Sequence, residues 1–277
     1  MARAAITGIT GLAGGHVAPA LRAAGHDVVG ISRRPSQPGA GGDIRTVPDL
    51  ADADALTASL RGCDIVFHFA DRANRKSYGE ADVGTAADVL VAIRTAAARN
   101  GIRRIVAISS VYADRPDRPD DRYGRSKRAM EAVAMAPAPG APAVILRLPP
   151  LYGPGAQGAV RHIARAVAKG WPLPFALARA PRRFLSLHAL ADLCLHLTNL
   201  DDATFDRAAG RVLVPVAVAN GSLAALSRTL GNGRARLLPV PGIDRLLGGR
   251  VPRGQLERDR DALIDAVGWH APDGIGH

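Results

Sequence analysis

Three side chains in the middle of the chain have the types and spacing needed to move a proton. Tyr123 and Lys127 stand four residues apart in YGRSK, a helix-like stretch, and so share one face of it. An isolated phenol titrates near ~10 and exchanges protons poorly at neutral pH. A neighbouring ammonium stabilises the phenolate and brings that value down, and the same ammonium can hold ribose hydroxyls. Ser110, just past the apolar run RIVAIS, can hydrogen-bond a carbonyl or alcohol and polarise it. By itself YxxxK most often marks an exposed helix face, so its meaning depends on what else the chain supplies.

The opening of the chain supplies a cradle for a dinucleotide. Residues 7–14 read TGITGLAG directly after a short apolar run, which puts Gly8, Gly11 and Gly14 at GxxGxxG spacing between a strand and a helix. The first glycine permits a tight turn, the second lets backbone N–H groups approach a pyrophosphate, and the third allows close packing of helix on strand. The helix N-terminus then favours the anion. Gly8, Thr10, Gly11, Leu12, Ala13 and Gly14 are the expected contacts. Where a NAD site places a carboxylate for the ribose 2′-OH, at the end of the second strand, this chain has Ser32-Arg33-Arg34. Two guanidiniums and no carboxylate make NADP(H) the preferred cofactor, with NAD(H) the alternative; the competing reading is two solvent-facing arginines. Asp49-Leu50, after a short third strand, is placed to meet the adenine amino group.

The elements that must position these groups follow an alternating pattern. AAIT (4–7), DVVGIS (27–32), DIVFHF (64–69), RIVAIS (104–109) and AVILRL (143–148) read as buried strands, with helices near 14–24, 53–61, 82–99 and 123–135 between them. Gly25, Gly62 and Gly101 sit where helix C-caps belong. This predicts an α/β fold, a Rossmann-type doubly wound parallel sheet binding its ligand at the carboxyl ends of the strands. The expected division is a dinucleotide-binding domain over 1–148 and a smaller substrate-binding region over 149–277. FLSL and HALADLCLHLTN within 183–200 resume the strand-helix pattern and are candidates to return to the first domain. The polar loop 114–122 lies beside the catalytic candidates and reads as mobile.

The bulk composition narrows the function classes. With 277 residues and 47% hydrophobic content the chain can bury a substantial core. The net charge of +11 comes almost entirely from arginines scattered among Ala, Gly and Pro, and 4% aromatics give few stacking platforms, so nucleic acid is not the expected partner. Lysine occurs only at Lys76, Lys127 and Lys169, which makes the placement of Lys127 informative. Cys63 and Cys194 read as reduced core residues, no apolar run approaches membrane-spanning length, and the expected location is the cytoplasm. His16, His68, His162, His188, His196 and His270 show no paired ligand spacing, so no metal is expected. The helices over 82–99 and 189–199 are apolar enough to pair two copies as a homodimer.

Taken together these motifs resemble the extended short-chain dehydrogenase/reductase family, in its NAD(P)-dependent epimerase/dehydratase branch acting on nucleotide sugars. TGITGLAG is similar to that family's TGxxGxxG, HFAD (68–71) to its HxAA, and ISSVYAD with YGRSK to its Ser and YxxxK elements. LRLPPLYGPG (146–155), RRFLSLHALAD (182–192) and AVGWHAP (266–272) look like its LRPxxVYGPG, RxxIxVxDLA and LGWxP. The resemblance implies catalytic roles for Ser110, Tyr123 and Lys127, nucleotide contacts from Phe69, Ala70 and Ser109 with Asp71 beside them, and a nicotinamide contact near Pro149. It also implies Arg182 as a ligand for a substrate diphosphate, with Tyr152 and Ser110 on the substrate side. Departures are visible. Asp71 replaces a small residue, Asp82 stands where relatives often have Asn, and the 71–82 stretch and the region after 200 are short. Tyr123 follows Ser110 by only thirteen positions.

Within that family, sugar dehydratases carry an acidic pair beside the catalytic hydroxyl, whereas Val111 and Tyr112 follow Ser110 here. Dehydration is therefore not expected. The expected reaction is carbonyl reduction on a small molecule such as a nucleotide sugar, with hydride from NADPH and the proton from Tyr123. Nucleotide-sugar 4-epimerisation is the alternative, and a non-catalytic NADP(H)-binding sensor is the reading from another class.

Overall fold

The computed structural model describes residues 1–35, 42–71, 77–115, 118, 120–137, 140–216 and 221–272. Part of the loop expected over 114–122, and Lys76, lie outside the described residues. The strands are β1 (Arg3–Thr7), β2 (Asp27–Ser32), β3 (Asp43–Thr46), β4 (Ile65–His68), β5 (Arg104–Ser110), β6 (Val144–Leu148), β7 (Leu151–Tyr152), β8 (Leu185–Ser186) and β9 (Val212–Leu213). The helices are α1 (Leu12–Ala23), α2 (Ala53–Ser59), α3 (Asp82–Arg99), α4 (Arg122–Met135), α5 (Gly158–Ala168), α6 (Leu187–Asn199), α7 (Asp202–Ala208), α8 (Leu223–Leu230), α9 (Ile243–Leu246) and α10 (Arg253–Val267). A 3-10 turn, Val111–Asp114, follows β5. The chain forms two compact units, Met1–Leu148 with Ala191–Val214, and Pro149–Leu190 with Pro215–His277.

The first unit is built on a seven-stranded sheet in the order β3-β2-β1-β4-β5-β6-β9, parallel throughout. Its central strands are buried along their length, with β4 and all but the first residue of β5 inaccessible, which is why they read as unbroken apolar runs. The order reverses direction between β1 and β4, and in such sheets that switch point opens a crevice at the carboxyl ends. Leu56, Leu60, Val66, Leu90, Ile93 and Ile105 are among the residues of the core beneath it. The sequence pattern over 183–200 suggested a return to this unit; the returning segment is Ala191–Val214, and it carries the edge strand β9, which pattern alone did not reveal.

A buried cation locks α3 to the end of α4. Arg94 is fully buried, and its guanidinium donates to the carbonyls of Ala141, Val133, Ala136 and Gly140. These are carbonyls of the α4 C-terminus and the turn after it, groups that a helix end leaves without intrahelical donors.

The second unit has its own core of Tyr152, Ala156, Val160, Ile163, Phe184 and Leu226, built on the pair β7-β8 with α5 and α8. Arg183 and Asp259 form a buried ion pair at 2.7 Å that ties β8's approach to α10.

Candidate functional site

The first turn of the chain has the geometry of an anion cradle. Gly8 has φ +71°, and a Cβ there would lie 2.7 Å from the Ala70 amide nitrogen, so the turn after β1 and the segment after β4 approach more closely than any side chain allows. A Cβ on Gly14 would stand 2.5 Å from the Gly8 carbonyl oxygen. Helix α1 begins at Leu12 after Gly11, and no side chain caps it, whereas α2 and α4 are capped by Asp52 and Asp121. Its first amides are thus left for an outside acceptor, with no acidic residue in the first turn to repel an anion. The residues present fit a dinucleotide diphosphate.

A cavity of about 560 Å³ runs from this turn along the ends of β2 and β4, lined by Gly8, Thr10, Gly11, Arg33, Arg34 and Phe69 among others. A second, of about 200 Å³, is lined by Asp49, Leu50, His68, Tyr78 and Asp82. Leu50, Arg33, Ala70 and Asp71 line both. Arg33 and Arg34 are exposed at the end of β2. Asp49 accepts from the Ala51 amide, and Leu50 is buried.

The segment after β4 is braced from below. The Thr7 hydroxyl hydrogen-bonds His68 Nδ1 at 2.8 Å and accepts from the Ala70 amide, while Phe69 donates to the Thr7 carbonyl. Burial, and secondarily the Lys127 charge, push His68 down to about 4, so it is neutral at neutral pH.

The proton-transfer candidates meet at the carboxyl end of β5. Tyr123 opens α4, which Asp121 caps by accepting from the Gly124 amide. Ser110 is close enough to act on the Tyr123 phenol, and the Tyr123 ring meets Tyr78 and Tyr112 edge to face at 5.2 and 5.9 Å. Lys127 Nζ lies 5.9 Å from the centre of the Tyr123 ring. Lys127 is buried, donates to the Ile108 carbonyl at 2.9 Å and pairs with Asp71 at 2.7 Å; Tyr78 donates to the other Asp71 oxygen. Burial raises the Tyr123 phenol above its ordinary value; Lys127 works against that rise and Asp71 adds to it.

Sequence reasoning named Ser110, Tyr123 and Lys127, and the structure brings them together. Asp71, expected among the nucleotide contacts and noted as a departure, is their charged neighbour, while nothing local in the sequence marks Tyr78. The Ser109 hydroxyl faces elsewhere: it donates to Glu131 at 2.5 Å, and Arg147 grips both oxygens of that buried carboxylate. This network fixes β5, α4 and β6 to one another. In the second unit Pro149 and Tyr152 are buried, and burial raises the Tyr152 phenol against a smaller lowering from Ser186. Arg182 is also buried, its guanidinium held by Asp244 and by the carbonyls of Ala180, Leu247 and Gly248. A diphosphate contact from it requires those bonds to be exchanged. Among the described residues no group of three His, Cys, Asp or Glu side chains is arranged to hold a metal, and no helix is long and apolar enough to cross a membrane.

Residues 4–199 match the NAD dependent epimerase/dehydratase family, and the chain belongs to it. It is 28% identical over 211 residues to the UDP-glucose 4-epimerase of Vibrio cholerae, covering 68% of this chain and 64% of that protein, so it spans less than two thirds of that relative. Among solved structures, Pal from Bacillus thuringiensis superposes with a TM-score of 0.72 at 15% identity over 99% of this chain and 95% of that one. The Bordetella bronchiseptica enzyme WbmG, in complex with NAD and UDP, gives 0.68 at 19% identity over 99% and 91%. At these identities the two structures speak for the fold.

Proposed function

We propose that this chain is an NAD(P)-dependent oxidoreductase that reduces a carbonyl on a nucleotide sugar. The observation that carries the reading is the convergence of Ser110, Tyr123 and Lys127 at the end of β5, in the same unit as a glycine turn whose helix amides have no side-chain cap. When bound, the dinucleotide supplies the hydride. Gly8 and Gly11 let the α1 amides take its diphosphate, Lys127 holds ribose hydroxyls, and Ser110 orients the substrate oxygen. Tyr123 donates its proton to that oxygen as the carbonyl carbon becomes an alcohol carbon, so the phenol leaves the step as phenolate beside Lys127. The exposed pair Arg33 and Arg34, lining the cavity where a 2′-phosphate would lie, supports NADP(H) as the preferred form. The nucleotide-sugar substrate is supported by the Vibrio cholerae epimerase and by the UDP in the WbmG complex.

The likeness to a 4-epimerase favours a second reading, in which the same site oxidises and re-reduces one carbon. Titration of the purified protein with NADPH and NADH, followed by turnover on nucleotide-sugar ketones, separates the two. Tighter NADPH binding and net reduction, lost in Tyr123→Phe while dinucleotide binding persists, support the reductase. Co-purified NAD with isomerised product and no net reduction supports the epimerase.

A further inference from the structure

The pairing of Asp71 with Lys127 bears on the direction in which the site works. The ammonium that should stabilise a phenolate at Tyr123 is buried, and it faces a carboxylate at 2.7 Å whose side chain is only 21% exposed. With the ammonium buried, solvent screens this pair less than a surface one, and the carboxylate offsets part of the Lys127 charge. Tyr78 donates to the second Asp71 oxygen, which holds the carboxylate in place. Among the described residues, the groups around the Tyr123 phenol are Lys127 on its own helix, Asp71 and Tyr78 from the segment after β4, Ser110 at the end of β5, and Tyr112 from the 3-10 turn. Asp82 on α3 turns its carboxylate to the Gly79 amide. Arg122 and Arg125 on α4 pair with Glu80, and His68 is neutral. Among the described residues, none of these groups is a second cation that takes the place of the offset ammonium.

Resting on the oxidoreductase reading above, we propose that Asp71 is a positioning residue: by holding Lys127 and offsetting its charge, it keeps Tyr123 a neutral phenol, poised to donate its proton to a carbonyl substrate. A neutral phenol suits reduction, whereas oxidation of an alcohol, the first half of an epimerisation, needs the phenolate as base. The small residue that resembling proteins carry at this position would leave Lys127 uncompensated and the phenolate correspondingly favoured. The substrate class that follows is a ketone or aldehyde arriving already oxidised, so the preceding reaction must be one that generates a carbonyl.

The test needs no substrate. The chain has four tyrosines, so absorbance titration of tyrosinate in the full chain, with the Tyr123→Phe curve subtracted, isolates the one phenol. In the wild type its midpoint should lie at or above about 10. In Asp71→Asn and Asp71→Ala it should fall by about 1 pH unit or more, and Asp71→Glu should restore it. A wild-type midpoint below the ordinary phenol value overturns the proposal even where the variants fail to fold, as does an unchanged or raised midpoint in a folded Asp71→Asn. NADH and NADPH titration of the same proteins reports separately on the underlying reading: a wild type that binds neither sinks the oxidoreductase assignment whatever the phenol does.

Discussion

Two buried cations, on neighbouring helices of the same unit, are satisfied in opposite ways. Arg94 on α3 meets only backbone carbonyls, four of them, at the end of α4 and the turn beyond. Lys127 on α4 meets one carbonyl and the carboxylate of Asp71, which itself lines two cavities. A planar fork with five donors suits a set of fixed acceptors, and with four of the five met on backbone carbonyls little is left over for a ligand. A compact ammonium with three donors, two of them accounted for by Ile108 and Asp71, keeps capacity to exchange partners. The difference separates a cation that builds the fold from one that the fold presents.

The largest expected effect lies on the presented side. Lys127→Met should lower turnover by about 10²–10⁴-fold, the range for loss of proton-transfer assistance, with a fall in thermal midpoint from the unpaired Asp71 that stays smaller than that of Arg94→Leu because Asp71 keeps its Tyr78 bond. Arg94→Leu should do the reverse. It strands several buried carbonyls at a cost of about 4 kcal/mol, read as a lowered denaturation midpoint, with turnover per folded molecule preserved. If Lys127→Met destabilises as much as Arg94→Leu, the two cations are both structural and the contrast collapses.

A third effect comes from His68, which feels the Lys127 charge. Its folded-state value near 4 against about 6.5 unfolded means that the unfolded chain binds the extra proton between those limits. Stability is therefore fully present above about pH 6.5 and is lost as pH falls toward 4, by about 3 kcal/mol in all. Urea unfolding at pH 7 and pH 5 should show this loss, and His68→Leu should flatten it. Because Lys127 is a secondary cause of the depression, Lys127→Met should make the acid limb shallower without abolishing it. An acid limb untouched by His68→Leu would assign it to other groups.

What could be read from the sequence divides along the same line. The glycine turn and the Tyr123-Lys127 spacing are local, and the strands over 27–32 and 104–109 are apolar through their middles because both faces of a parallel sheet are covered. Those features were legible. Arg94, in an alanine-rich helix, reads as one more solvated arginine, since its acceptors come from a turn far along the chain. Asp71 stands out as an oddity within HFAD, yet the partner that gives it meaning arrives only when β4 and α4 are brought side by side. β9 is two residues long and owes its existence to the exposed edge of β6.

The smallest effect sharpens the comparison by exchanging the two kinds of cation. Arg94→Lys keeps the charge but offers three donors where four carbonyls wait, and an ammonium cannot span acceptors that a guanidinium fork reaches together. The expected loss is about 2 kcal/mol, between wild type and Arg94→Leu, with turnover unchanged. The mirror substitution, Lys127→Arg, puts a planar fork where a compact charge meets Ile108 and Asp71, and should cost far more in turnover than in stability. If Arg94→Lys is as harmful as Arg94→Leu, fork geometry alone holds that corner; if it is harmless, the site asks only for a charge. An intermediate value means that the carbonyls bind both the charge and its shape, which is the sense in which Arg94 is structural and Lys127 is not.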